Sequence, residues 1–188
     1  MTQFTSSLAH IAEGQYDAYH FYTEGDPVLA KQIQKYWEDL NYDFPGVGEQ
    51  WSAVFVSWCM KSAGASKNEF KFAERHAVFV NWAIANAKAG TGLFRGHGID
   101  ACSPKIGDII ANNQPGHAYD FDYAATHDDY HSHSAIVIEK GTDRNGDYVL
   151  TVGGNESDSV QEKTVYLKNG LIVQRTHMPF IAVIEDLK

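Results

Sequence analysis

An α+β fold, with its helices before its strands, is predicted by three features of the chain. Apolar residues in the first half recur at helical spacing, as Leu8, Ile11 and Ala12 do. Beyond Gly90 the pattern changes to short apolar runs rich in β-branched residues, which are typical of buried strands. No repeat or linker divides the 188 residues, so we expect a single domain over 1–188. This order favours N-terminal helices packed on a C-terminal antiparallel sheet.

Four helices are expected, and their boundaries carry ordinary start and stop signals. Pro27 suits the first turn of the second helix, because its missing N–H has no partner there in any case. Gly64 and Gly90 stand where the third and fourth helices should end, since glycine readily adopts the left-handed conformation of a helix terminus. The predicted helices span residues 5–22, 26–40, 52–63 and 74–90.

The second half of the chain predicts strands joined by tight turns. The stretch SPKIGDII indicates a turn followed by a short buried strand. Two longer strands flank the polar turn at 144–147, where Asn-Gly is a strong hairpin signal. The stretches SVQEKTVYL and PFIAVIEDL supply the remaining strands of the predicted sheet.

Composition excludes several classes of partner. The formal charge of −9 disfavours nucleic acid and anionic membranes, since both reward a basic surface. No apolar run is long enough to span a bilayer, so membrane insertion is not expected. The first residues lack the basic region and apolar core of a signal peptide. We therefore expect synthesis in the cytoplasm, and an extracellular role would need delivery to the periplasm or cell wall by a non-classical route.

Ser52 is the candidate nucleophile. It follows Trp51 and opens the predicted third helix, where unpaired backbone N–H groups and the helix dipole favour negative charge. Such a position suits an attacking hydroxyl and the oxyanion that it creates. Serine is also a common helix N-cap without any catalytic role, so this structural interpretation stays open.

His133 and Asn155 are the candidate base and orienting residue. His133 begins an apolar run and could present its ring at the mouth of a strand. A catalytic histidine needs a third group that fixes its orientation, which the side-chain carbonyl of Asn155 could supply. Glu156 is a weaker candidate for the same role, and a structural histidine beside a turn asparagine is the alternative.

Trp51 and His76 are candidates for substrate binding. Trp51 precedes the nucleophile and could form a wall of the cleft, or it could simply pack in the core. His76 begins the fourth helix, where it could be neutral and line the cleft, or merely cap the helix. Cys59 is a weaker nucleophile candidate, because it lies within an apolar helix away from the N-terminal dipole.

The segment 117–133 concentrates histidines and aspartates, which are the ligand types that zinc prefers. His131 and His133 would share one face of an extended strand. The segment lacks the helical HExxH and the CxxC spacings of well-defined metal sites. A solvated loop beside the active site is therefore the favoured interpretation, with no metal and no other cofactor expected.

Five stretches resemble, in chain order, motifs of the bacterial cell-wall amidases and endopeptidases of papain-like fold, the NlpC and CHAP types. They are YWEDL, WSAVFVSWCMKSAG, SPKIGDII, HSAIVIE and VGGNESDSV. That superfamily carries cysteine where this chain has Ser52. The combination of Trp-Ser-Ala, a long insertion before His133 and Gly-Gly-Asn is closer to an uncharacterised bacterial branch with serine at this position.

The resemblance implies a papain-like α+β fold and a peptidoglycan amidase or endopeptidase that cuts stem peptides. It places Ser52 as nucleophile, His133 as base and Asn155 as orienting residue. Such an enzyme could be a phage lysin or an antibacterial effector delivered by a secretion machine, and an effector would need a cognate immunity protein in its producer. Two alternatives stay open: a catalytically silent module that binds a peptide or glycan, and a metal-dependent hydrolase built on the His/Asp-rich segment.

Overall fold

A computed structural model describes residues 2–188. The three predicted helices after the first are confirmed within a few residues, and α1 ends at Tyr19 rather than Tyr22. The helices are α1 (Gln3–Tyr19), α2 (Pro27–Leu40), α3 (Ser52–Ser62), α4 (His76–Ala89) and α5 (Phe121–Ala124). The strands are β1 (Phe94–His97), β2 (Ile109–Asn113), β3 (Ser132–Asp143), β4 (Gly146–Glu156), β5 (Ser159–Lys168), β6 (Leu171–Ile172) and β7 (Phe180–Asp186).

The predicted papain-like arrangement is wrong, although the fold is α+β in the general sense. The seven strands form one curled antiparallel half-barrel in the order β1-β7-β2-β3-β4-β5-β6. Strand β1, which the sequence analysis did not predict, lies at one edge, and the short α5 is inserted between β2 and β3. The helices are therefore not simply stacked on one flat C-terminal sheet.

The curl follows from how the strands distribute their apolar side chains. Ile109 joins the large core that the strands share with the helices, whereas the adjacent Ile110 joins a second core on the other face. All the fully buried members of this second core come from strands β2–β7. Within residues 2–188, no helix residue belongs to this second core, which the curled sheet encloses.

β-Bulges add to the curvature at three places. The register shifts in the β2–β7 pair at 111/112, in the β3–β4 pair at 137/139 and in the β4–β5 pair at 154/156. An extra residue in one strand bends that strand and increases its local twist. The third bulge lies at the end of β4, next to the candidate functional site.

Helix α3 is the central helix of the large core. Eight of its residues are buried, and it packs against α1, α2 and strands β3 and β4. Its contact with β4 is close at Gly154, where a Cβ atom would lie 2.6 Å from both Phe55 and Trp51. Glycine therefore sets the spacing between the sheet and the helix that carries Ser52. Within residues 2–188, none of the helices combines the length and apolarity that a membrane crossing requires.

Candidate functional site

Two helix N-termini meet at the centre of the candidate site. Ser52 is the first residue of α3, and His76 is the first residue of α4. The Oγ of Ser52 lies 2.7 Å from the Nε2 of His76, which is hydrogen-bonding distance. Both residues are almost fully buried, at 3% and 4% exposure. The predicted nucleophile is thus in direct contact with a histidine that the sequence analysis had placed only in substrate binding.

This convergence places two partial positive charges beside Ser52, and the buried His76 stays neutral. The first N–H groups of an α-helix have no partner within the helix, and they give its N-terminus a partial positive charge. Burial, together with the charge of nearby His133, holds the pKa of His76 well below its usual value of 6.5. A neutral imidazole can accept a proton at physiological pH, which a general base must do.

A buried serine fixes the distance between these two helix starts. Ser57, five residues after Ser52 in α3, donates its hydroxyl to the carbonyl of Ala73 at 3.0 Å. The same oxygen accepts the N–H of Ala73, also at 3.0 Å. These two bonds attach α3 to the segment that leads into α4 and so position His76 beside Ser52. No sequence signal marks this role, because a serine inside a helix usually makes only local bonds.

His133 lies behind His76 and is held by a carboxylate. The rings of the two histidines are 5.2 Å apart, and the Nε2 of His133 donates to Glu156 at 2.9 Å. Lys163 also pairs with Glu156. Burial alone would raise the pKa of Glu156, but its contacts with His133 and Lys163 outweigh burial and lower that pKa. Glu156 is therefore a buried carboxylate that stays ionised.

The bulge at the end of β4 explains why Glu156, not Asn155, contacts His133. Gly153 faces His133, and in a regular strand Asn155 would point to the same side. The bulge inserts Asn155 as an extra residue with a φ of +54°, so the next residue turns toward His133. Among residues 2–188, no hydrogen bond joins Asn155 to His133, and the predicted orienting role therefore has no geometric support.

A cavity of about 480 Å³ opens beside Ser52 and His76. Its wall combines the starts of α3 and α4 with the segment that leads into β3. Besides Ser52 and His76, its polar lining residues include Gln50, Glu74, Arg75, Gln114, Asp129 and His131. Such a lining suits a ligand rich in hydrogen-bonding groups rather than a hydrocarbon chain.

An ion pair joins two sides of this cavity. Arg75, the residue before α4, contacts Asp129 from the His/Asp-rich segment. Their side chains are 62% and 74% exposed, so the pair adds little to stability. Both charges therefore remain accessible to a polar ligand that enters the cavity.

The rest of the His/Asp-rich segment is organised by ring stacking. Tyr123 stacks on His127 at 3.9 Å, and His117 stacks on His131 at 4.8 Å. Asp120 caps the short helix α5 by accepting the N–H of Tyr123. Within residues 2–188, no group of three or more potential ligand residues is arranged to hold a metal ion. The described part of the His/Asp-rich segment therefore offers no ligand set for the metal-dependent alternative.

Trp51 and Cys59 lie behind the site rather than in it. Trp51 is completely buried, and its indole N–H donates to Glu24 at 2.9 Å. It packs under the start of α3, which is the core placement that the sequence left open, and it does not line the cavity. Cys59 is also completely buried, and burial raises the pKa of its thiol well above the usual value. A thiol that stays protonated and closed off is a poor nucleophile.

Protonation of His76 is expected to destabilise the protein in mild acid. Because the folded-state pKa of His76 lies below the unfolded value of 6.5, the unfolded chain takes up this proton first as the pH falls. Stability should fall from about pH 6.5 downward, by up to about 1.4 kcal/mol per pH unit, until the lowered pKa is reached. Urea unfolding between pH 7.5 and 5 would measure this slope.

The His76→Asn variant separates this effect from other titrations. Glu156 also loses its stabilising contribution in acid, but only below about pH 4.5, since its folded-state pKa lies under that usual value. Asparagine does not titrate, so the variant should lose the slope between pH 6.5 and 5. An unchanged slope in the variant would show that His76 is not held neutral by its surroundings.

Comparison with known proteins gives one match. No curated protein and no solved structure matches this chain. Residues 28–182 match the bacterial family described as "Uncharacterized protein conserved in bacteria (DUF2272)". The matched region contains the helices α3 and α4, which begin with Ser52 and His76. It also contains the strands β3 and β4, which carry His133 and Glu156. Since the match covers most of the 188 residues, the chain belongs to the DUF2272 family.

Proposed function

We propose that this protein is an amide-bond hydrolase in which Ser52 is the nucleophile and His76 is its general base. The observation that carries the proposal is the 2.7 Å contact between the Ser52 hydroxyl and the His76 imidazole. The contact lies at a cavity and between two helix N-termini, so an attacking oxygen, a proton acceptor and a positive environment occur together.

The reaction would proceed through an acyl-enzyme. The Oγ of Ser52 attacks the amide carbon while its proton passes to the Nε2 of His76. The negative charge on the substrate oxygen is stabilised by the helix N-termini. His76 then gives its proton to the leaving amine, and an ester remains on Ser52. A water molecule, deprotonated by the same imidazole, attacks this ester; His76 then returns the proton to the Oγ of Ser52 as the carboxylic acid leaves.

His133 and Glu156 support this chemistry from behind. His133 faces His76 at 5.2 Å, and Glu156 fixes its ring through the 2.9 Å hydrogen bond. The ionised Glu156 holds the ring of His133, and burial, followed by the proximity of His133, lowers the pKa of His76 and favours its neutral form. In this arrangement Glu156 takes the orienting role that the sequence analysis assigned to Asn155.

The substrate class that we propose is the stem peptide of peptidoglycan. The support is the ordered set of motifs that resemble cell-wall amidases and endopeptidases, above all the stretches around Ser52, His133 and Gly153. The polar lining of the cavity is compatible with a peptide that carries several amide and carboxylate groups. The products of digestion would show which bond is cut: the amide between sugar and peptide, or a peptide bond within the stem.

Digestion of isolated peptidoglycan tests the proposal. Wild-type protein and Ser52→Ala would be incubated with purified walls, and the soluble products identified by mass spectrometry. We expect new fragments from the wild type and a loss of at least about 10³-fold in rate from the variant, because the acyl-enzyme can no longer form. Products from both proteins at similar rates would exclude Ser52 as nucleophile.

A binding module is the second candidate, and the burial of Ser52 favours it. Ser52 lines the cavity with only 3% of its surface exposed, and a groove that binds a ligand without turnover would have the same appearance. Binding of wall fragments by wild type and Ser52→Ala, with no cleavage by wild type or Ser52→Cys, would establish this second function.

A further inference from the structure

Two residues that line the cavity carry a buried hydroxyl group without a hydrogen-bond partner within residues 2–188. Tyr130 and Ser132 both line the cavity that contains Ser52 and His76. Tyr130 is 8% exposed and Ser132 is 4% exposed, and within residues 2–188 neither hydroxyl finds a partner. Since buried polar groups are nearly always paired in folded proteins, two such groups in one wall call for an explanation.

The surroundings of Tyr130 cannot satisfy its hydroxyl. Its neighbours are the rings of Tyr119 and Tyr123, whose centroids lie 5.3 Å and 5.8 Å away. Burial, followed by the proximity of Tyr123, raises the pKa of Tyr130, so the hydroxyl keeps its proton and remains a donor. A phenylalanine would fill the same aromatic cluster without leaving a polar atom unpaired.

The position of the two residues relates them to the catalytic groups. Ser132 is the first residue of β3 and directly precedes His133, and Tyr130 lies two residues earlier. Opposite Ser132 in the sheet is Asn113, whose side chain holds the backbone of Tyr119 by two hydrogen bonds. The sheet thus fixes Ser132, and Asn113 also holds Tyr119, whose ring packs against Tyr130 in the segment that leads into β3.

We propose that Tyr130 and Ser132 are substrate-binding residues whose hydroxyl groups hydrogen-bond the amide and carbonyl groups of a peptide in the Ser52 cavity. Neither hydroxyl is paired within residues 2–188, and the ligand supplies the partner. The inference rests on the proposed function for the identity of the ligand, a peptidoglycan stem peptide. It predicts a signature that a structural residue would not give, namely weaker binding without a loss of stability.

The test measures binding and stability together in a protein that cannot turn over. In the Ser52→Ala protein, Tyr130→Phe and Ser132→Ala would each be titrated with purified disaccharide-tetrapeptide fragments by calorimetry. Each change should raise Kd about fivefold to tenfold, the effect of one lost hydrogen bond. The melting temperature should stay the same or rise, because a buried unpaired hydroxyl has been removed.

Ser134→Ala is the matched control. Ser134 lies on the same strand, and its buried hydroxyl also lacks a partner within residues 2–188, but it does not line the cavity. We expect the control to leave Kd unchanged. Unchanged Kd in Tyr130→Phe and Ser132→Ala, or a marked fall in their melting temperatures, would overturn the inference.

The possible results separate this inference from the proposed function. If both variants bind the fragments more weakly and the wild type cleaves nothing, the two binding residues would be supported and the proposed hydrolase activity would be overturned. Cleavage by the wild type with unaffected binding in both variants would overturn the binding residues alone. Failure of the Ser52→Ala protein to bind any fragment would overturn both the peptide ligand and its contacts.

Discussion

Replacing His76 with asparagine is expected to lower kcat/KM by about 10²- to 10⁴-fold, the usual contribution of a general base. The reason is the direct contact of its Nε2 with the Ser52 hydroxyl, which leaves Ser52 without a proton acceptor in the variant. Because His76 is neutral in the folded protein, asparagine does not remove a buried charge. Initial rates of wall digestion at several pH values would measure the effect.

Two further histidine variants decide which imidazole is the base. His177→Asn changes an exposed histidine of the loop before β7 and should keep full activity. His133→Asn should reduce activity and shift the acidic limb of the pH–rate profile upward, since burial and then His133 lower the pKa of His76 and the variant keeps only the first cause. Near-complete inactivation by His133→Asn, together with substantial activity in His76→Asn, would assign the base to His133.

Replacing Gly154 with alanine is expected to lower the free energy of unfolding by about 3 kcal/mol, the upper part of the range for overpacked cores. The added Cβ would lie 2.6 Å from the side chains of Phe55 and Trp51, well inside van der Waals contact. Both side chains are fully buried, so neither can move away without disturbing the core. Urea unfolding monitored by tryptophan fluorescence would measure the change.

Gly48→Ala is the control for this substitution. A Cβ at Gly48 meets no atom within 4 Å, so alanine should leave stability nearly unchanged or raise it slightly. Gly154→Ala should also reduce activity at temperatures where the protein stays folded, because the displaced contact lies beneath the start of α3. Equal stability of the two variants would mean that β4 and α3 can separate without cost.

The helices could be predicted from the sequence because each of their signals is local. Pro27, Gly64 and Gly90 mark helix boundaries by their own backbone properties, and the structure places those boundaries close by. The curl of the sheet could not be predicted in this way. It depends on which apolar residues face each side, as Ile109 and Ile110 do, and on bulges that no local signal marks.

The candidate site shows the same division between local and long-range signals. Ser52 could be singled out because a hydroxyl at a helix start is a local feature. The partnership with His76 could not, since it depends on Ser57 holding the segment before α4 from sixteen residues away. The sequence analysis ranked Glu156 below Asn155 as the partner of His133. The bulge that turns the Glu156 side chain toward His133 can be seen only once β4 and β5 are paired.

The first helix and the last strand are joined at the other end of the fold. The hydroxyl of Thr5 donates to the buried carboxylate of Asp186 at 2.8 Å, across 181 residues of sequence. The first turn of α1 and the end of β7 therefore lie side by side. A unit of this shape can be inserted into a loop of another protein, or joined to neighbours on both sides, without straining its own interior.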